Sequence, residues 1–360
     1  MLKTWGYYQL ENRLRNLRCW SCSNKFEDYC YMILIPLNIL WEIHPLFMEL
    51  KNFKAESDNF LFHFDIINVQ IVATCVNVIF MVNYKNVMNL IHAVSDFSQF
   101  EKPIRIKVLD KFLSKVLKFL RIIVFVSVTS ALYVVIFDKN CVKYRLDTDY
   151  TSTCNLIMEY YVPFKVNRYQ QALMTIFQLF SLTIAGEVIL IYIVFIYYTF
   201  ELLTIRLEDI TMKINDIKFD GDKEKSFKKL QLIIMYHQHT FRIFHMATPL
   251  INKLIVGYRF CIVISNTLLV GKIMLNPDIR SIELFIIGSG VLLMHHTVGQ
   301  RIINYSSTVK DAIYNTNWYD ADVATQKDIL TFLCMLQQPF YISYNMFGSL
   351  GYAALTNVRL

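Results

Sequence analysis

The chain has 360 residues, of which 55% are hydrophobic and only 18% charged, and its net charge is +7. Ordinary soluble domains contain roughly 25% charged residues, and they do not need repeated apolar runs of about 20 residues, the length that spans a bilayer. The composition therefore argues against a soluble protein. Because backbone polar groups must be satisfied within the membrane, and because Gly and Pro number only 10 and 7, we predict helical spans.

Seven transmembrane helices are predicted, in one all-α integral membrane domain that covers residues 1–360. In chain order the spans are Tyr29–Leu50, Phe60–Asn83, Phe119–Phe137, Gln171–Phe200, Leu250–Leu275, Ser281–Gly299 and Asp328–Val358. Residues 1–28 are polar and basic, and the first apolar run is long enough to span, so we predict no cleaved signal peptide. Pro339 interrupts the last span and is expected to divide that helix into two pieces.

The distribution of positive charge predicts the orientation. The N-terminus and the even-numbered loops hold 23 Lys and Arg residues, whereas the opposite loops hold 8. Since the excess belongs on the cytoplasmic side, the N-terminus is predicted to be cytoplasmic and the C-terminus extracellular, the reverse of a G-protein-coupled receptor. The cytoplasmic excess of Lys and Arg accounts for most of the net positive charge, so nucleic-acid binding is not predicted.

The long cytoplasmic segment after the fourth span has a helical pattern of its own. Apolar residues recur at alternating spacings of four and three, as in a packed helix seam: Leu203, Leu207, Ile210, Ile214 and Ile217. Asp220-Gly221-Asp222 then predicts a turn, and a similar stripe returns towards the membrane: Leu230, Ile234, Phe241 and Phe244. Helices four and five are therefore expected to extend below the bilayer as an antiparallel pair, which either packs only within the chain or also meets neighbouring subunits.

No arrangement of residues typical of catalysis stands out, so we do not expect an enzyme, a metal site or a cofactor. Cys19 and Cys22 form a single Cys-x-x-Cys, whereas a structural zinc site requires four ligands. The histidines are expected to be core or solvated residues, because adjacent ones such as His295-His296 point to different faces of a helix. In the large outer loop, Cys141 and Cys154 form either a disulfide or two free thiols. Glu187 is the most deeply placed acid, with a functional or a structural role.

A series of motif residues follows the sixth predicted span. In order, these are Gly299-Gln300, Ser306 or Ser307, Val309, Ala312-Ile313-Tyr314, Trp318, Lys327-Asp328-Ile329-Leu330, Phe332-Leu333 and Gln337-Gln338-Pro339. The series resembles the end of the sixth helix and the start of the seventh in insect odorant receptors. The inverted topology, the long second outer loop and the cytoplasmic hairpin are also similar to that family.

The resemblance implies the odorant-sensing subunit of a ligand-gated, non-selective cation channel. Such a subunit assembles with a shared co-receptor into a heterotetramer in the plasma membrane of olfactory sensory neuron dendrites. Helices two, three, four and six would surround a pocket for small volatile molecules in the outer half of the membrane. An insect gustatory receptor is the alternative within the same mechanism, although the segment from Trp318 to Pro339 favours the odorant branch. A metabotropic receptor or a secondary transporter is the alternative from another class, but no inverted repeat is found.

The implied roles fall on particular residues. Volatile ligands need apolar, aromatic walls with a few polar groups, and the candidate lining residues are Ser127, Ser130, Tyr133, Phe177, Phe180 and Glu187; the alternative for each is helix packing. The hairpin, the 300–327 segment and the first half of helix seven would anchor the subunits together, through residues that include Leu207, Val309 and Trp318. The second half of helix seven would line the pore, through Leu355 and Val358.

The C-terminus departs from the family pattern. After Phe347-Gly348-Ser349-Leu350, the family's seventh helix continues for roughly ten residues beyond Leu360, as full spanning also requires. We therefore expect either an incomplete sequence or a subunit that contributes an unusual pore wall.

Overall fold

The structure is a computed structural model that describes residues 10, 60–137, 168–219, 223–275, 277, 279–344 and 348–356. The predicted first span and the cysteines at 19, 22, 141 and 154 lie outside the described residues. The helices are α1 (Phe60–Val82), α2 (Tyr84–Ser95), α3 (Arg105–Phe137), α4 (Arg168–Asn215), α5 (Lys223–Leu275), α6 (Ile279–Tyr314), α7 (Val323–Leu336) and α8 (Ala353–Thr356). A 3₁₀ turn covers Trp318–Asp320, and two short strands, β1 (Ser343–Tyr344) and β2 (Gly348–Ser349), pair antiparallel.

The all-α class is confirmed, and α4 is the central helix. It packs against α1, α3, α5 and α6, most extensively against α6. Its sequence is apolar on nearly every side from Val188 to Phe200, and most of these side chains are buried. A helix that is hydrophobic all round belongs inside a bundle, which explains the central position of α4.

Three described helices are long and apolar enough to cross a membrane: Ala185–Asn215, Lys223–Leu275 and Ser281–Tyr314. The pair Ile71–Val82 and Tyr84–Ser95, bent by 78°, makes a fourth if it is one span. The second to sixth predicted spans all lie on α1, α3, α4, α5 and α6, and their depth in a bilayer stays a prediction. The second predicted span ends where the chain bends, at Asn83, whose side-chain amide donates to the carbonyl oxygen of Ile79 (2.9 Å).

The predicted extension of helices four and five is confirmed. At 1.5 Å per residue, the 48 residues of α4 and the 53 of α5 measure about 72 and 80 Å, far more than the roughly 30 Å of hydrocarbon. The stripe from Leu203 to Ile217 is buried throughout, so it is the packed face of this hairpin. We give the name extramembrane bundle to residues 201–215, 223–249 and 300–314, which the predicted spans leave outside the membrane, together with α7. The 14 residues of α7 are fewer than the roughly 20 that span a bilayer, so this half of the seventh predicted span does not cross the membrane by itself.

The last predicted span differs from its prediction. Its first half is helix α7, which ends at Leu336, just before Gln337-Gln338-Pro339. After Pro339, however, the described residues form the β1–β2 hairpin and the single helical turn α8, not a second helix. Two glycines within four residues, Gly348 and Gly351, favour turns over a continuous helix, and the backbone folds back onto α6. We call residues 340–356 the C-terminal segment.

Candidate functional site

Helices α3 and α4 lie antiparallel, and three contacts define their register. The hydroxyl of Tyr198 donates to a carboxylate oxygen of Asp110 (3.4 Å), and the rings of Phe112 and Tyr197 lie 6.1 Å apart. At the other end a Cβ added to Gly186 would lie 3.2 Å from Val124 Cγ1, so the glycine permits close contact there. Along α3 the contacts occur at residues 110, 112 and 124, and their partners on α4 are residues 198, 197 and 186. Each step forward on α3 therefore corresponds to a step backward on α4.

This register brings the predicted ligand-binding residues onto neighbouring stretches of two adjacent helices. Extended beyond Val124 and Gly186, it aligns Ser130 with Phe180 and Tyr133 with Phe177. Ser127 lies one turn beyond Val124 on α3. The side chains of these five residues lie outside the described part of the structure. The sixth, Glu187, is half-buried and follows the contact glycine directly, so its backbone lies at the α3–α4 contact.

A layer of aromatic side chains joins α4, α5 and α6 next to this pair. The rings of Tyr192 and Tyr258 lie 4.8 Å apart, and both contact His295 edge-on, at 5.6 and 5.7 Å. His295 is almost wholly buried, which confirms a core role for it. Its neighbour His296 faces another direction, where its Nδ1 lies 2.8 Å from the carbonyl oxygen of Gly351. The sequence showed that adjacent histidines diverge, but not that two tyrosines enclose the first.

Polar groups on α5 connect it to α1 and α6. The side-chain amide of Asn68 donates to the carbonyl oxygen of Cys261 (2.9 Å), and the amide of Asn266 donates to the hydroxyl of Ser289 (3.2 Å). Beside it, a Cβ on Gly288 would lie only 2.6 Å from Asn266 Oδ1. Gly288 and Ser289 therefore allow α5 and α6 to pack closely. These interhelical hydrogen bonds satisfy polar groups that lipid could not.

Two ion pairs stand where the predicted spans give way to the extramembrane bundle. Arg301 of α6 pairs with the buried Glu201 of α4, and Arg105 of α3 pairs with Glu208, two turns farther along α4. Helices α3 and α4, which carry the predicted ligand residues, and α6 are thus tied together at this boundary. A partly buried pair of this kind fixes helix register more than it adds stability.

Sequence reasoning missed a buried arginine on α4, Arg206, whose side chain caps the C-terminal end of α2. Its guanidinium donates to the carbonyl oxygens of Val94 (3.0 Å) and Asp96 (2.5 Å), both at the end of α2. The group lies 4.0 Å above the ring of Phe97 and 5.8 Å from that of Tyr236. A cation is favourable at a helix C-terminus, and the flat guanidinium also stacks on aromatic rings. The sequence signal was an arginine directly before Leu207, within the apolar stripe that begins at Leu203.

The Gly299-Gln300 motif holds the C-terminal segment. A Cβ at Gly299 would overlap the carbonyl oxygen of Leu350, so only glycine allows the two backbones to approach. The side-chain carbonyl of Gln300 accepts a hydrogen bond from the backbone N–H of Tyr352 (3.1 Å). Farther along α6, the buried Ser306 accepts from the N–H of Phe340 (3.1 Å), whereas the hydroxyl of Ser307 donates to the carbonyl oxygen of Asn304 in its own helix (2.7 Å).

The predicted anchor and pore residues lie in different surroundings. Leu207 and Val309 are fully buried within the chain, and Trp318 is half-buried at the 3₁₀ turn. The exposed sides of the same helices are therefore what a neighbouring subunit could meet. Leu355 lies in α8, with its side chain outside the described residues, as is the whole of Val358. Within the described residues, no group of three or more His, Cys, Asp or Glu could hold a metal ion.

These features define a helical membrane-type protein with a polar-aromatic interior and an elongated helical hairpin. The chain belongs to the 7tm Odorant receptor family, whose model matches residues 62–358. Two solved structures share the fold: the insect olfactory receptor OR5 from Machilis hrabei, and the same receptor in complex with eugenol. Each superposes with a TM-score of 0.75 at 12% sequence identity, covering 97% of this chain and 93% of that one. No curated protein sequence matches the chain.

Proposed function

We propose that this odorant receptor is the odorant-sensing subunit of a heteromeric, odorant-gated cation channel, assembled with a co-receptor in the plasma membrane of olfactory sensory neuron dendrites. The observation that carries the proposal is the family match over residues 62–358. The fold shared with an insect olfactory receptor supports it.

The ligand is proposed to bind between α3 and α4, beyond the contact of Val124 with Gly186. The register there aligns two residues of α3, Ser130 and Tyr133, with two aromatic residues of α4, Phe180 and Phe177. Aromatic walls with a few hydroxyl groups suit a small, mainly apolar volatile molecule. The structure of OR5 with eugenol makes a ligand of this size and polarity a reasonable first choice for testing.

Ligand binding is proposed to reach the rest of the channel through α4 and α6. Beneath the site, the pair of Glu201 with Arg301 joins these helices, and α6 continues to the Gly299 and Ser306 contacts with the C-terminal segment. We infer that Leu355 and Val358, in and just after this segment, line the pore.

Assembly with the co-receptor is proposed to use the exposed side of α7 and the 3₁₀ turn before it. Large apolar side chains stand exposed there: Tyr319, Val323, Leu330 and Met335. Such a patch outside the membrane is typical of a protein interface. Leu207, Val309 and Trp318 would support this surface from within.

The test is to record currents from cells that express the chain with and without a co-receptor, during exposure to a panel of volatiles. We expect odorant-evoked cation current only with both subunits.

Tyr133→Ala should raise the half-maximal odorant concentration at least tenfold, the effect of losing about 1.4 kcal/mol of contact. Phe125→Ala, an exposed position on the same helix, is the matched control and should respond like the unsubstituted receptor. An equal rise in the half-maximal odorant concentration in both variants would reject the ligand site. Absence of odorant-evoked current both with and without the co-receptor would reject the channel.

A further inference from the structure

The first half of α3 has one face packed against the protein and one face free. Ile106, Leu109, Leu113 and Leu117 are buried, and α3 packs against α4. Their spacing of three and four residues places them on one side of the helix. The opposite side is not covered by any described residue, and its composition is unusual.

The free side carries a basic stripe beside an apolar one. The exposed basic residues follow one another at steps of one turn: Lys107, Lys111, Lys115 and Lys118. The exposed apolar residues run alongside: Ile104, Val108, Phe112 and Phe119. None of the four lysines forms an ion pair within the described part of the chain, where the nearby acids Glu101 and Glu208 pair with Lys213 and Arg105. Among the described residues, the stripe is therefore a positive surface without ion-pair partners.

The stripe ends at the predicted membrane boundary. The predicted third span begins at Phe119, and a rise of about 1.5 Å per residue puts Lys115 about 6 Å and Lys111 about 12 Å from that boundary. The headgroup layer on each side of the hydrocarbon is roughly 5–8 Å thick, and lysine side chains extend towards it. The apolar stripe continues into the span through Ile122 and Val126, which are also exposed, so the free side of α3 runs without interruption into the lipid-facing side.

We propose that this face of α3 binds the headgroups of anionic phospholipids in the leaflet at which the helix enters the membrane. Lys111, Lys115 and Lys118 contact the phosphate and carboxylate groups, and Phe112 and Phe119 lie along the acyl chains. A row of lysines next to exposed apolar side chains matches the combination by which helices recognise anionic bilayer surfaces. The proposal uses the predicted position of the third span and is independent of the proposed ligand site.

The test measures which phospholipid the purified receptor retains. The full chain is purified in detergent, mixed with equal amounts of phosphatidylserine and phosphatidylcholine, recovered, and its bound lipids are counted by mass spectrometry. We expect a clear excess of phosphatidylserine that declines with added salt, since exposed charges are screened. The triple variant K111Q/K115Q/K118Q should lose this excess, by a factor on the order of 100 in relative affinity at about fivefold for each lysine. K111R/K115R/K118R, which keeps the charge, should retain it.

A matched control removes the same charge elsewhere. K223Q/K225Q/K229Q neutralises three exposed lysines at the start of α5, at the far end of the hairpin, and should bind phosphatidylserine as the unsubstituted chain does. Equal lipid ratios in the α3 triple variant and the unsubstituted chain would overturn the proposal, as would an equal loss in the α5 control. Displacement of the bound lipid by soluble tripolyphosphate at the same phosphate concentration would also overturn it, because the face would then select free polyanions.

Discussion

Gly299 shows how a single missing side chain positions a whole segment. The backbone of Leu350 occupies the space that a Cβ would need, while Gln300 and His296 hold the flanking residues by hydrogen bonds. The Gly-Gln pair by which the sequence resembles odorant receptors therefore has a steric purpose in this chain.

Gly299→Ala is expected to release the C-terminal segment from α6. The added methyl group would overlap backbone atoms, which cannot move as a flexible side chain can, so residues 340–356 should become accessible to protease. Limited proteolysis of the purified chain measures this. Gly290→Ala is the control on the same helix, since a Cβ there has no neighbour within 4 Å. It should leave the cleavage pattern unchanged, and equal protection of both variants would show that the segment is held elsewhere.

At the scale of elements, an aromatic cluster joins α5, α7 and the chain after Pro339. The ring of His237 on α5 contacts those of Phe332 on α7 and Phe340, at 5.3 and 5.6 Å. Phe241 and Phe244 on α5 also contact Phe340, at 5.4 and 4.9 Å. Phe340, the residue after the break at Pro339, is thus held by two kinds of contact: this aromatic cluster and the hydrogen bond from its N–H to Ser306.

This cluster should make the stability of the extramembrane bundle depend on pH. Burial lowers the pKa of His237 from 6.5 to about 4, so the neutral ring is the form that packs. The stabilisation is complete above pH 6.5 and is lost as pH falls towards 4, because the unfolded chain binds the proton more readily. The loss amounts to about 3 kcal/mol by pH 4.

His237→Phe should reduce the decline in melting temperature between pH 6.5 and pH 4, measured by thermal unfolding of the detergent-purified chain. The apolar ring keeps the aromatic contacts and takes up no proton. His245→Phe, which replaces an exposed histidine on the same helix, is the control and should decline as steeply as the unsubstituted chain. A decline of the same steepness in His237→Phe would show that this ring is not the group responsible.

For the whole molecule, the orientation in the membrane follows from charge and is open to a direct test. The only Asn-x-Ser/Thr sequence is Asn304-Tyr305-Ser306, which the 23-to-8 distribution of basic residues predicts to be cytoplasmic. Asn304 is exposed on α6, so burial of this residue would not explain the absence of a glycan.

The expressed receptor should therefore carry no N-linked glycan, as judged by mobility before and after endoglycosidase treatment. Ile157→Thr, which creates an acceptor sequence at Asn155 in the loop predicted to be extracellular, should add a glycan and serve as the positive control. Glycan on Asn304, or none in the Ile157→Thr chain, would contradict the orientation.

The sequence alone was sufficient for features that depend on the order of apolar residues. The length of α4 and α5 and the packed stripe from Leu203 to Ile217 could be predicted because helical period and hydrophobicity are local properties. The break near Pro339 is equally local, since proline lacks the N–H that a helix needs. The family could be inferred from the order of motif residues after Gly299.

Tertiary structure decided what those residues touch. The apolar stripes that include Leu207 and Val309 have the same spacing whether they pack within the chain or against a neighbouring subunit. Only the fold shows that the side chains of Leu207 and Val309 are fully buried within the subunit. Arg206 caps α2 from a helix that lies 110 residues farther along the chain, so no local pattern could reveal its partners. The contacts of the C-terminal segment with Gly299, Gln300 and Ser306 of α6 likewise join residues far apart in the chain, so no local pattern could reveal them.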